Sequence, residues 1–211
     1  MNEHIKTTYR AKAEIAAKAL RANQMDARVV EDTEELLRVV ADLIPEGTQL
    51  SSGGSQTLIP TGLDAYMREH YDFYFRGRKD DQGNPIDCER KAFTLDWYVS
   101  GTNAITLDGE LYFVDGNGNR VAAVTFGPKN VLIVAGANKI VRDLKEAEER
   151  VKLVAAPPNC VRLNKNTGCS KTGYCIDCKS EDRICCLYLT CGFQRIKNRI
   201  HVLILPEDLG Y

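Results

Sequence analysis

The sequence predicts an α/β protein: a mostly parallel sheet with helices on both faces and an inserted antiparallel portion. Three observations carry this. Helical and strand-like segments alternate from residue 2 to residue 75, the pattern of a parallel sheet wound with helices. Residues 130–135, NVLIVA, are a continuous apolar run of the kind buried on both faces of such a sheet. Asp108-Gly109 and Asp115-Gly116-Asn117-Gly118, flanked by Ile105, Leu107, Leu111, Phe113, Val121 and Val124, read as hairpin turns, so a three-stranded meander is expected there.

In chain order, Ile5, Ala13, Ala16, Ala17 and Leu20 recur at helical spacing among Lys, Arg and Glu, which predicts an amphipathic helix over residues 2–22. Residues 25–30 are a short strand. Thr33 caps a second helix with Glu34 and Glu35 in its first turn, and Leu36, Leu37, Val40, Leu43 and Ile44 mark its buried face. Pro45-Glu46-Gly47 ends it. A strand through Gln49 and Leu50 enters the glycine loop Ser51-Ser52-Gly53-Gly54-Ser55, with a helix from about Thr61 to Tyr66 and an aromatic strand over 71–75. Residues 76–89, RGRKDDQGNPIDCE, form an exposed loop, either a solvated connector or a lid. A strand over 97–100 precedes the meander. Gly136-Ala137-Asn138-Lys139 leads into a helix from about Ile140 to Val154, which Pro157-Pro158 stops. The final strand covers 199–206, leaving a cysteine-rich excursion over 163–191 within one domain spanning 1–211.

Composition bounds the function. The 211 residues suffice for a sizeable core, and a net charge of −1 is no footprint of nucleic acid or of an anionic membrane surface. No apolar run approaches the ~20 residues of a membrane span, and the charged N-terminus MNEHIKTTYRAKAEIAAKAL is not built as a signal peptide. The chain reads as cytoplasmic. There, eight cysteines are not expected to form disulfides, and six of them fall between Cys169 and Cys191.

Two regions are candidates for chemistry. Three loops, 51–55, 101–103 and 136–139, each follow the carboxyl end of a predicted strand, where α/β sheets bind ligands. The expectation is a small anion held by the backbone of Gly53, Gly54 and Ser55 at a helix start, by Thr57, Thr102, Asn103, Asn138 and Lys139, and by the turn at Gly136. The alternative is that the glycines only make a tight turn, Asn103 caps another, and Lys139 is solvated. The loop is neither a P-loop nor a dinucleotide fingerprint, and His4, His70 and His201 lie outside the three loops, so no catalytic set is assembled. The second region is Cys169-x5-Cys175-x2-Cys178-x6-Cys185, a thiolate pattern suited to zinc or an iron–sulfur cluster, with a redox dithiol or unligated thiols as alternatives. Cys88 and Cys160 read as isolated thiols without a role.

The glycine loop SSGGSQTL, the segment SGTNAITLDGELYFVDGNGNRVAAVTFGP, the run VLIVAGANKIVRDLKEAEERV and the tail AAPPNCVRLNKNTGCSKTGYCIDCKSEDRIC together resemble the lactate-utilisation (LUD) domain family. The resemblance covers most of the chain. It implies a Rossmann-like sheet akin to the ribose-phosphate isomerase and CoA-transferase group, and a link to the oxidation of L-lactate or a related organic acid beside iron–sulfur subunits. The four-cysteine tail resembles that of stand-alone members, Cys186 and Cys191 look like additions, and the paired ferredoxin-type runs of larger members are missing. Besides anion binding, the resemblance leaves open a transferase or ligase-like enzyme and a metal-stabilised interaction protein.

Overall fold

A computed structural model describes residues 2–211. The chain runs α1 (Glu3–Ala22), β1 (Asp26–Val29), α2 (Thr33–Leu43), β2 (Gln49–Ser52), α3 (Leu63–His70), β3 (Asp72–Tyr74), α4 (Cys88–Lys91), β4 (Trp97–Ser100), β5 (Ala104–Thr106), β6 (Leu111–Asp115), α5 (Asn119–Phe126) and β7 (Asn130–Gly136). It continues through β8 (Ile140–Val141), α6 (Leu144–Arg150), α7 (Ala156–Arg162), α8 (Gly168–Thr172), β9 (Leu187–Cys191) and β10 (Ile200–Leu205).

Six parallel strands form the main sheet in the order β1-β10-β7-β4-β2-β3. The apolar run in β7 is explained by the two faces it serves. Val131, Ile133 and Ala135 pack into one core with Ala13, Ala17 and Leu20 of α1 and Ala123 of α5. Leu132 and Val134 point the other way, into a core with Leu36 and Val40 of α2 and Leu63 and Met67 of α3. Both faces are therefore covered, and alternation disappears from the sequence.

The strand order also creates a crevice. After β2 the chain turns outward to β3, whereas after the adjacent β4 it leaves in the opposite direction towards β7 and β10. Loops that diverge from neighbouring strands leave an opening at the carboxyl edge, the usual position of a ligand in an open α/β sheet.

A second sheet, β8-β5-β6-β9, stands beside the first. Ile105, Leu111 and Phe113 join the α1 core, while Ala104, Tyr112 and Val114 on the opposite face pack against Ala147, Val151 and Ala156. The expected hairpin through Asp108-Gly109 is present as β5–β6, but the third meander strand is not where the turn pattern placed it. Residues 119–126 are helix α5, and β9, from within the cysteine-rich excursion, supplies the third antiparallel strand. Gly118 takes the left-handed conformation at φ 80°, and the Asp115 carboxylate accepts from Val121 N at 2.9 Å, so Asp-Gly-Asn-Gly is a strand-to-helix turn.

Other boundaries shift for local reasons. Asp32 caps α2, accepting from Glu35 N, in place of Thr33. Residues 140–141 are strand β8, not the start of a helix. Pro157-Pro158 does not stop the helix before it, since the chain stays helical from α6 into α7. Residues 151–155 form a π-helical turn, and the prolines occupy the first turn of α7, where their missing N–H groups remove little.

The β5–β6 turn is locked onto α1. Asn23 donates from Nδ2 to the carbonyls of Asp108 and Gly109 at 3.0 and 2.8 Å. Gly109 has φ +82°, and a Cβ there would lie 2.4 Å from the Ala19 backbone. Gly109→Ala is expected to destabilise the protein by about 3 kcal/mol, combining left-handed strain with a backbone clash. Gly83→Ala, at φ +85° in open space, should cost only about 1 kcal/mol. Chemical denaturation of both variants checks the contrast, and equal losses would contradict the packing.

Candidate functional site

The three strand-end loops meet at one ammonium group. Lys139, in the turn after β7, donates from Nζ to Thr57 Oγ1 in the loop after β2 at 2.9 Å, and to the Thr102 carbonyl in the loop after β4 at 3.1 Å. It is 3 % exposed, and no carboxylate of the described residues pairs with it. Burial, assisted by the charges of Arg150 and Arg120, pushes its pKa down to about 7.

Around this lysine the loops are held from both sides. Asn103 Oδ1 accepts from Val114 N at 2.9 Å and from Arg120 Nη2 at 2.8 Å, which leaves its amide NH₂ without a partner among the described residues. Arg150 donates to the carbonyls of Asn103 and Asn138 at 2.8 and 3.2 Å, and burial holds its pKa below the ordinary arginine value. Arg120 Nε meets Asp115 Oδ1 at 2.8 Å, so the buried carboxylate is neutralised by a guanidinium and also serves α5. A Cβ on Gly101 would lie 2.9 Å from Ser55 Oγ, and one on Gly53 would lie 2.8 Å from Tyr98 Oη. Missing side chains at these glycines let the loops close.

The result is a cavity of about 430 Å³, within the size range of metabolite sites. Its lining includes Arg76, Arg120, Lys139, Arg162, Lys165 and Arg183 against the carboxylates of Asp115, Glu181 and Asp182. Of the residues expected at the site, Gly53, Gly54, Ser55, Thr57, Thr102, Asn103 and Lys139 line it.

Gly136 and Asn138 do not. Asn138 donates to the Gly210 carbonyl and accepts from Leu209 N, tying down the C-terminal tail, and Gly136 makes room for that contact, since a Cβ there would lie 2.5 Å from Asn138 Oδ1 and 2.7 Å from Leu209 N. Helix α3 begins only at Leu63, after turns over 56–62, so the glycine loop is not a helix start. The Ser55 N–H is already bonded to the Gly53 carbonyl at 2.8 Å. Positive charge therefore comes from side chains. Sequence reading missed Arg120, Arg150 and Tyr211, whose hydroxyl is buried without a hydrogen-bond partner among the described residues. His201 pairs with Asp26 at 3.0 Å at the amino ends of the strands, away from the cavity.

Cys169, Cys175, Cys178 and Cys185 line a second, smaller cavity of about 40 Å³, and Cys160 of α7 joins them. Burial, reinforced by the neighbouring thiols, pushes Cys185 up to about 12, and burial pushes Cys160 up to about 11. No three His, Cys, Asp or Glu side chains among the described residues are already disposed around one point to hold a metal ion. Cys186 is exposed, and Cys191 is buried in the α1 core.

The sequence profile of the LUD domain matches residues 13–205. The fold is similar to that of a DUF162 family protein from Deinococcus radiodurans, with a TM-score of 0.53 over 93% of this chain and 97% of that one, at 14% identity. No curated protein matches the chain in sequence. No helix among the described residues is long and apolar enough to cross a membrane.

Lys139 gives the stability a sign. Its folded pKa of about 7 lies below the ordinary 10.5, so between these values the unfolded chain binds more protons. Its contribution to stability is therefore least favourable below pH 7 and improves as pH rises towards 10.5, by roughly 5 kcal/mol. Lys139→Met should be more stable than the wild type at about pH 6, by roughly 2 kcal/mol after the lost hydrogen bonds, with the difference shrinking at higher pH. Denaturation across that range checks this, and a pH-independent difference would contradict it.

Proposed function

The chain belongs to the LUD domain family, and on that premise we propose that it binds a small organic-acid or phosphate anion in the cavity at the carboxyl edge of its main sheet. The observation that carries the reading is the buried Lys139 ammonium, which has no carboxylate partner among the described residues and faces the cavity. A buried cation is costly unless an opposite charge arrives, and a bound anion would supply that charge. Because Thr57 Oγ1 accepts from Lys139, its own O–H remains available to donate to the same anion. The Asn103 amide and the Gly54 backbone supply further donors without charge.

The LUD family is associated with lactate utilisation, which makes hydroxy and keto acids the first ligands to try. The transferase or ligase-like alternative calls for a free acid or base beside Asn103. Asp115 is near it through Arg120, but its oxygens serve Arg120 and Val121 N, so it is a structural carboxylate. Asp182 is likewise engaged by Lys165 and Asn166 N. Glu181 also lines the cavity, and Lys139 at about 7 titrates in the range of a general base, so the acid–base alternative stands beside the anion-binding reading and is separated from it by assay for turnover.

Calorimetric titration with L-lactate, pyruvate and inorganic phosphate tests the reading. At least one is expected to bind, and at about pH 8 binding should take up close to one proton, since the anion recharges a lysine that is mostly neutral there. Two buffers of different ionisation enthalpy reveal the proton. Lys139→Met should weaken binding roughly 10- to 100-fold, the worth of a charge-assisted hydrogen bond. Unchanged affinity in that variant, or no binding of any of the three anions, would count against the proposal.

A further inference from the structure

The five thiols around the smaller cavity play no part in anion binding. A buried cysteine that serves only packing behaves as a small apolar residue and needs no other thiol beside it. Here α7, α8 and the loop after α8 bring Cys160, Cys169, Cys175, Cys178 and Cys185 to one cavity, whereas Cys88, Cys186 and Cys191 lie elsewhere. We infer that these five form a thiolate site for a soft metal centre, zinc or iron–sulfur, and that Cys160, which the sequence spacing leaves out, is one of its ligands.

The geometry around Cys160 carries the inference. Its sulfur lies 3.6 Å from that of Cys169. Two thiolates on one tetrahedral ion at about 2.3 Å each are about 3.8 Å apart, so this pair already has ligand spacing. Both residues sit on helices and are buried, which fixes that half of the site. The other half is the loop carrying Cys175 and Cys178. There the Asp177 N–H donates to Cys175 Sγ at 3.4 Å, an N–H···S bond of the kind that orients a ligating sulfur. Arg183 donates to the carbonyls of Cys178 and Cys185 at 2.7 and 2.8 Å and pairs with Asp177 at 2.9 Å, fixing the backbone of the loop that carries the thiols. Cys175, Cys178 and Cys185 are only partly buried, so rotation of their side chains brings them onto a metal held first by Cys160 and Cys169. Four thiolates complete such a centre, so one of the five is spare. Arg183 and Ile184 form a wall common to this cavity and the larger one, which puts the metal centre next to the anion site.

The full chain, purified without oxygen and reconstituted with Zn²⁺ or with a mixture of ferrous and ferric iron and sulfide, is expected to hold one centre. Colourless zinc or coloured iron with sulfide would each support the site and would distinguish the two chemistries. Cys160→Ser and Cys160→Ala should weaken metal binding roughly tenfold or more with circular dichroism unchanged, while Cys186→Ser leaves it at the wild-type level. Loading the unaltered chain with Cd²⁺ gives a measurement that needs no variant: proton–cadmium correlation NMR should show coupling to the Cys160 β protons. Wild-type affinity in a folded Cys160 variant, or cadmium coupled only to other cysteines, would overturn the role of Cys160. A folded wild-type chain that takes up none of these metals would overturn the site. Metal uptake should be unaffected in Lys139→Met, so this inference and the anion reading fail separately.

Discussion

The bond network of one buried ammonium joins the three loops on which the site depends. Lys139 reaches Thr57 and Thr102 from a third loop, so strands β2, β4 and β7 are tied at their carboxyl ends through a single side chain. Burying that charge without a carboxylate works against folding, and the fold supports it with rigid surroundings. Arg120 and Arg150 fix Asn103 from opposite sides, and glycines at 53 and 101 allow approaches that any side chain would block. A local cost retained at a site where the rest of the structure is well packed is the signature of function rather than of stability.

The sheet order determines where this can happen. Because β2 and β4 are neighbours whose chains leave in opposite directions, the crevice between their loops is open by topology, and Lys139 reaches it from the turn after β7. The second sheet and the helix that follows it form the far wall. Asp115 at the end of β6 orients Arg120, and Arg150 at the end of α6 reaches back to Asn103 and Asn138. The loop after α8 closes the remaining side and carries the thiols. The thiol cavity and one side of the anion cavity both come from the excursion that leaves the main sheet after β7 and returns as β10.

Much of this was legible in the sequence. The run NVLIVA announced β7, and glycine and asparagine at strand ends marked the three loops. What was not legible has physical causes. Val121 and Val124 suit a strand as well as a helix, and only the left-handed Gly118 and the Asp115 cap decide for the helix. The π-helical turn before Pro157 is set by packing, so a rule that prolines end helices misplaced the boundary. Asn138 lies in a loop after the carboxyl end of a strand, which points it to the cavity, yet it turns to the tail. Cys160 reads as an isolated thiol because its nine-residue separation from Cys169 matches no ligand spacing; the turn between α7 and α8 brings them together. Arg120 and Arg150 lie far along the chain from the loops they hold, and nothing local distinguishes them from solvated arginines.

The most direct test of the central role of Lys139 is its own titration, followed by NMR of the side-chain Nζ and its adjacent carbon in the ligand-free protein and then with L-lactate, pyruvate or phosphate present. A midpoint near 7 in the free protein that moves upward when an anion is added would establish a buried ammonium awaiting a counter-charge. A midpoint near the ordinary 10.5, or one indifferent to every anion, would contradict it.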